Sequence, residues 1–332
     1  MSITKNLTAA IMRAIRVTSF GGPEVLNLDT GTHIPTHGDN EVLIRVLAAG
    51  VNPVDTYIRA GNYGALPALP YTPGMDTAGI IEQIGQNVEN FKIGDRVFTV
   101  RTLSGAYAEY TVANSLYVGH LGDKLSFDEG AGIGVPYFTA YRALVIRAKA
   151  KASETVLVHG ASGAVGLASV QLAKSIGLKV IGTAGTPEGM KLVQDNGADF
   201  VFNHREDGYM NKITEVIPGG VDVILEMLSN VNLGKDLEII KYQGRIIVIG
   251  CRGTVEINPR LTMKSECTIT GMALMNAPEA EWREITSAVE AGITHGWLKP
   301  HIGLKYPIEE AAKAHDTVIN NSGAMGKIIL TL

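Results

Sequence analysis

The sequence predicts an α/β protein in which a β-rich domain is followed by a doubly wound parallel sheet. Three observations predict it. From about residue 150 onward, near-continuous apolar runs alternate with amphipathic helical patterns, as in a parallel sheet covered on both faces. A glycine-rich turn, GASGAVG (160–166), opens that series between a strand pattern and a helix pattern. Before residue 130, short β-branched runs are broken by Gly, Pro, Asn and Asp.

Composition supports a folded, two-domain chain. At ~100–200 residues per domain, 332 residues is about two domains. The chain is 45% hydrophobic and 19% charged, with mean hydropathy +0.13, which excludes a disordered chain. Thirty-three acidic and 29 basic residues leave a net charge of −4, so a dedicated nucleic-acid protein is disfavoured. The cysteines Cys251 and Cys267 are too few for a disulfide framework or a four-cysteine zinc lobe. Such sparse use fits a reducing cytosol, and a cytoplasmic protein is expected. MSITKNLTAAIM (1–12) lacks an apolar signal core, and no run of 18 apolar residues reads as a membrane span. The sequons at Asn6 and Asn320 read as chance matches.

Taken in order, EVLIRVLAAGV (41–51) is a strand. ALPALPYTPG (65–74) is a Pro-rich loop, and the glycines of 74–100 punctuate short strands of a small barrel or irregular sheet. GAGIGVPYFTAYRALVIRAK (130–149) reads as one long helix with a proline near its start. Strands follow at 155–160, 179–184, 200–203, 221–227, 244–250 and 267–274, with helices at 165–177, 187–197, 207–217 and 232–244 between the earlier ones. Two helical patterns and a terminal strand, GKIILTL, make up 275–332, a tail too short to be a domain and expected to return to the first one.

The turn fits G-x-G-x-x-G with Ala161 in the first glycine slot. Gly163 clears space for a pyrophosphate, Gly166 lets the helix approach the strand, and free N–H groups at the helix start would hold the phosphates. The bland alternative is a tight turn that needs glycine for packing alone. The next strand runs into IGTAGTPEGMK (181–191) with no acid before Glu188, where an NAD site would want one for the ribose hydroxyl. Neutral Thr183, Ala184 and Gly185 leave room for a 2′-phosphate, and Lys191 with the His204–Arg205 pair could supply positive charge. NADPH is therefore the expected cofactor, unless those cations are ordinary solvated charges.

This layout resembles the medium-chain dehydrogenase/reductase superfamily, which joins a GroES-like catalytic domain to a Rossmann sheet. The resemblance implies a GroES-like part at 1–130 with 276–332, and a Rossmann part at 131–275. Zinc alcohol dehydrogenases of the superfamily carry a cysteine ligand in the segment here read as AGVNPVDTYIRAG (49–61). They carry a His–Glu pair in the segment read as PGMDTAG (73–79). This chain has Asn52 and Met75–Asp76 there, so no zinc is expected. VNPVDTYIRAGNY, VLVHGASGAVG, VFNHRE and EMLSNVNL together resemble the zeta-crystallin family of NADPH:quinone reductases from about Met12 to Leu332. Ala164 departs from that family's usual glycine.

The resemblance implies cofactor contacts at Tyr57, at Ser162, Gly163, Ala164 and Val165, and at Gly185, Lys191 and His204. It implies others at Asn232, at Ile249, Gly250, Cys251 and Arg252, and at Met272, Ala273 and Leu274. Thr139 would face the nicotinamide, Tyr57, Asn52 and Thr139 form the candidate catalytic set, and Tyr63 is a candidate substrate wall. Plainer readings stand beside these. Tyr57 and Tyr63 could be packing aromatics, His204 a loop histidine, and Asn52 a turn-former before Pro53. Cys251 reads as a small strand-end residue rather than a nucleophile.

The implied activity is NADPH-dependent reduction of quinones, ortho-quinones by one-electron transfer to the semiquinone, without zinc. A quinone accepts electrons readily and needs no Lewis acid. An NADPH-dependent enal or enoyl reductase is the alternative enzyme; AU-rich RNA binding or a crystallin-type structural role is the alternative outside enzymology. A homotetramer with cofactor-domain edge strands pairing near CTITGMAL is implied by analogy.

Overall fold

The computed structural model describes residues 10–321 and 323–332. Asn6, the first nine residues of the N-terminal segment and Ser322, which completes the Asn320 sequon, lie outside the described residues.

The chain opens with β1 (Ile11–Arg16) and β2 (Asn27–His33), an antiparallel pair. Then come β3 (Glu41–Val51), α1 (Pro53–Arg59), β4 (Asp76–Ile84), β5 (Arg96–Thr99), β6 (Tyr110–Asn114) and β7 (Val118–His120). A short α2 (Phe127–Gly130) leads to α3 (Gly134–Tyr141). The nucleotide-type series runs β8 (Thr155–Val158), α4 (Ala164–Ser175), β9 (Lys179–Ala184), α5 (Pro187–Asp195), β10 (Phe200–Asn203), α6 (Tyr209–Val216) and β11 (Val221–Glu226). It continues through α7 (Ser229–Ile239), β12 (Ile240–Val248), α8 (Pro259–Ser265) and β13 (Thr268–Gly271). The tail holds α9 (Glu279–His295), β14 (Ile302–Pro307), α10 (Ala311–Asn320) and β15 (Lys327–Thr331).

The six strands β8–β13 form one parallel sheet in the order β10-β9-β8-β11-β12-β13. The chain order therefore reverses between β8 and β11, and ligands of such sheets bind beyond the carboxyl ends of the strands at that point. The other main sheet runs β14-β15-β3-β4-β5-β7, with β6 also on β3. The tail thus returns to the first sheet, since β15 pairs antiparallel with β3. Its helix α9 instead bridges β7 of the first sheet and helix α3. Trp282 is buried, with ring centroids 5.1 Å from Tyr117 and 5.8 Å from Phe138, and its indole N–H donates to Ala277 O.

Two expected helices are corrected. The 130–149 helix is broken into α2, a turn, α3 and a π-helical segment (Arg142–Arg147). Glycines 130, 132 and 134 precede Pro136, which has no N–H to give, so the helix settles only beyond them. The 232–244 helix ends at Ile239, because Ile240 already pairs with Val221 and a bulge follows before Arg245 rejoins the ladder. Burial of Ile239 and Ile240 against the sheet overrides the helical spacing. The strand expected at 267–274 pairs only over Thr268–Gly271. Helix α1 arose from no periodic signal, being 7 residues long with Pro53 in its first turn.

Candidate active site

The glycine-rich turn is built by backbone geometry. Gly160 has φ +58°, a left-handed conformation that glycine adopts without strain. Its N–H donates to Thr183 Oγ1, and Ala161 N–H donates to Thr183 O, so β9 holds the turn. A Cβ on Gly166 would lie 2.4 Å from Gly160 O and 2.6 Å from Ala161 Cα, so this glycine is required for helix-on-strand contact. A Cβ on Gly163 would meet nothing nearer than Gly160 O at 3.5 Å. The first helical bond of α4 runs from Leu167 N–H to Gly163 O, leaving Ala164, Val165 and Gly166 as the first-turn N–H donors.

The returning tail closes this turn from outside. Gly326 N–H donates to Ser162 O at 2.7 Å, and Gly163 and Gly326 form an isolated parallel bridge. The next residue, Lys327, is 2% exposed and turns its side chain into the first domain. Its ammonium donates to Asn52 Oδ1 at 2.6 Å and to Asp76 Oδ2 at 2.6 Å. Asn52 Nδ2 also donates to Asp76 Oδ2, at 2.9 Å, and Val135 N–H donates to Asp76 Oδ1 at 2.8 Å. A buried carboxylate is thus satisfied by one cation and two neutral donors, as burial of charge demands. Asn52 is also the N-cap of α1, while its side chain reaches Asp76 on β4 and Lys327 on β15.

A second buried chain braces α1. Asp55 Oδ2 accepts from Asn52 N–H at 2.9 Å and from Tyr107 Oη at 3.2 Å. Tyr107 Oη lies 3.1 Å from His315 Nε2, and His315 Nδ1 lies 3.3 Å from Arg59 Nη1. Burial and then the Arg59 charge push the imidazole down to about 3, so it is neutral. Arg59 can only donate, which assigns the tautomer: Nδ1 accepts, Nε2–H donates to Tyr107, and Tyr107 donates to Asp55. Burial pushes the Asp55 carboxyl up to about 7.

The residues singled out in the sequence fall largely on one edge. Ser162–Val165 follow β8, Gly185 follows β9, His204 follows β10, Asn232 follows β11 on α7, Ile249–Arg252 follow β12, and Met272–Leu274 follow β13. In a parallel sheet these are the successive carboxyl ends. A Cβ on Gly185 would touch His204 Nε2 at 2.9 Å and Arg205 Nε at 2.8 Å, so these three are together. Ile249 and Gly250 N–H both donate to Glu226 O. Cys251 and Arg252 are exposed; Cys251 Sγ donates to Gly253 O, and Arg252 N–H donates to Asn230 Oδ1. Lys191 lies on the exposed face of α5, where Asp195 one turn on holds it at 2.8 Å. Thr139 is buried on α3, and Tyr57 and Tyr63 are half-buried on and just beyond α1. Sequence reading missed Lys327, Asp55, Tyr107 and His315. Lys327 lies 251 residues from Asp76, and no local pattern links them.

The alcohol dehydrogenase GroES-like domain model matches residues 38–123, and the zinc-binding dehydrogenase model matches residues 164–291. Quinone oxidoreductase of Homo sapiens is 55% identical over 323 residues, covering 97% of this chain and 98% of that protein. The Mus musculus quinone oxidoreductase is 53% identical over 325 residues with the same coverage. The chain belongs to the quinone oxidoreductase family. That family sits within the medium-chain dehydrogenase/reductase superfamily, and it makes this chain an oxidoreductase. Among solved structures, Escherichia coli quinone oxidoreductase complexed with NADPH is 29% identical, with TM-score 0.87, covering 96% of this chain and all of that one. A mycobacterial relative complexed with NADPH has TM-score 0.88 at 29% identity, covering 97% of this chain. No helix among the described residues is long and apolar enough to cross a membrane.

Proposed function

We propose that the protein reduces quinones with NADPH and does so without zinc. The observation that carries the second half is the Lys327 ammonium bound between Asn52 and Asp76. Zinc dehydrogenases of the superfamily place their ligands at these positions. Here the donors are an amide and a carboxylate, with no thiolate or imidazole, and they already surround a buried cation. A dication in the same place would meet an ammonium rather than a vacant ligand set, so these residues do not fit zinc.

The residues do fit NADPH. First-turn N–H groups of α4, beside the open side of Gly163, would receive the pyrophosphate. Gly185 and His204, with no acid before Glu188, would receive the 2′-phosphate end; Lys191 can swing to it from the surface of α5. Asn232, Ile249–Arg252 and Met272–Leu274 would line the ribose and nicotinamide. Once bound, NADPH supplies the reducing equivalents, as hydride or, with ortho-quinones, in single-electron steps. The chain's own part is to orient the nicotinamide, with Thr139 against it, and to keep the site dry. Tyr57 would supply a hydroxyl at the cleft and Tyr63 a wall for the quinone.

Domains at 1–130 with 276–332, and at 131–275, follow from this reading. Homotetramers would form through β13, an edge strand whose Ile269 is exposed. The second enzymatic reading, enal or enoyl reduction, shares the same scaffold. Substrate profiling separates them: quinones should be turned over faster than any enal or crotonyl thioester, and the reverse order would replace this proposal. The Tyr57→Phe variant should keep the wild-type melting temperature and lose most quinone turnover, read by steady-state kinetics.

A further inference from the structure

Beneath the cofactor edge lies a cluster that the proposed reaction leaves unused. His159 follows β8, Glu226 ends β11, and Asp236 projects from α7; their exposures are 2%, 0% and 0%. Because β8 and β11 are neighbours at the reversal point, His159 and Glu226 form the floor under the crevice. His159 Nε2 is 2.8 Å from Asp236 Oδ1 and 3.7 Å from Glu226 Oε2. Glu226 Oε2 and Asp236 Oδ2 are both fully buried with no hydrogen-bond partner. The ligand atoms of the three residues lie within 4.8 Å of one another.

Charge counting exposes the problem. Two carboxylates and one imidazolium leave an excess negative charge where water cannot reach it, and each carboxyl of this cluster keeps one unpartnered oxygen. One further proton, held between Glu226 Oε2 and Asp236 Oδ2, removes the excess charge and satisfies both atoms. The surrounding charged and titratable groups are Lys235 beside Asp236, Tyr209 from α6, and His204 and Arg205 beyond β10. None of these hydrogen-bonds either orphaned oxygen.

The cluster also holds both walls of the crevice. Glu226 Oε1 accepts from Leu228 N–H at 2.5 Å and from Asn232 Nδ2 at 3.3 Å. On the other wall, His159 Nδ1 lies 3.5 Å from Thr183 Oγ1, which accepts the Gly160 N–H at 3.2 Å. We infer that Glu226 and Asp236 share a proton beside a charged His159, and that this triad positions the Leu228–Asn232 segment and the Gly160 turn for the cofactor. The positioning half rests on the reading that NADPH binds at this edge.

The direction of titration agrees. Burial pushes the Glu226 carboxyl up to about 7. Burial opposes the His159 charge, but Asp236 and then Glu226 outweigh it and the net shift is upward. Both groups thus bind protons more tightly in the folded chain than in the unfolded one, where their values are ~4.3 and ~6.5. The stability they contribute is full at low pH and is lost as pH rises, for Glu226 between ~4.3 and about 7 and for His159 through its raised value.

The test uses the full-length protein and its Glu226→Gln variant, in which a neutral amide of the same shape replaces the protonated acid. In cofactor-free protein near neutral pH, the wild-type-minus-Glu226→Gln infrared difference spectrum should show a protonated carboxyl C=O band, the Asp55 carboxyl, also pushed up to about 7, cancelling between the two proteins. NADPH affinity of the wild type should fall on raising pH above about 7, by up to ~10-fold per pH unit, as one proton is lost. The 2′-phosphate, His204 and Asp55 titrate in both proteins, so the difference between the profiles isolates Glu226; the variant should lack that component of the fall. Asp236→Asn should also remove it. Absence of the band, parallel pH profiles, or a divalent cation that raises the Tm of the wild type but not of Glu226→Gln would overturn the shared proton. If NADPH fails to bind at any pH, the proposed function and the positioning role fall together, while the infrared band still decides the proton.

Discussion

Gly163 and Gly166 stand three residues apart and answer to different demands. Gly166 is fixed by the fold itself, because its Cβ would collide with the Gly160–Ala161 backbone. Gly166→Ala should therefore cost about 1–3 kcal/mol by displacing α4 from β8, read by denaturant unfolding. Gly163 has room on its protein side, and under the proposed function its constraint would come from the pyrophosphate. Gly163→Ala should melt close to the wild type yet bind NADPH at least about tenfold more weakly, in line with a lost phosphate contact of ~1.5–3 kcal/mol. Equal losses in both assays would mean that the turn is structural only. Lys327→Met should cost about 3–5 kcal/mol by stranding the Asp76 carboxylate, and adding Asp76→Leu should recover much of it. An additive double variant would show that the two residues do not act as a pair. The glycines were legible in the sequence because spacing within one turn encodes them. Lys327 was not, because its partners Asn52 and Asp76 meet it only through tertiary folding.

Among elements, legibility followed the same rule. The buried strand KVIGTA and the half-buried edge strand FVFN both appear at the expected residues, because short apolar runs between turn residues have few alternatives. The errors lie where tertiary pairing overrides local period, as at Ile240, or where glycine and proline crowd a helix start, as before α3. The sequence placed the tail with the first domain, and β15 does join β3, but α9 binds both halves through Trp282. Trp282→Ala should cost about 3–5 kcal/mol and loosen the junction, measured by thermal melting and by proteolysis around α9. The open edge at β13 belongs to this scale too. Ile269→Pro would remove an outward edge N–H, since Met272 N–H and its like-facing neighbours donate to β12, and should lower the solution mass toward monomer or dimer in light scattering. An unchanged mass would exclude β13 as the interface.

For the molecule as a whole, the tail is the member that unites the parts. One residue, Gly326, binds the glycine-rich turn, and its neighbour Lys327 binds the Asn52–Asp76 cluster, so the carboxyl edge of the parallel sheet and the first sheet share a single hinge of chain. That coupling sets the Asn52–Asp76 cluster beside the glycine-rich turn, with Lys327 supplying its positive charge from within the fold. The most direct measurement is steady-state consumption of NADPH and of NADH with phenanthrenequinone, before and after exhaustive treatment with a strong chelator. NADPH-selective turnover that survives chelation is the expected result. Turnover that is abolished by the chelator and restored by zinc, or that favours NADH, would contradict it.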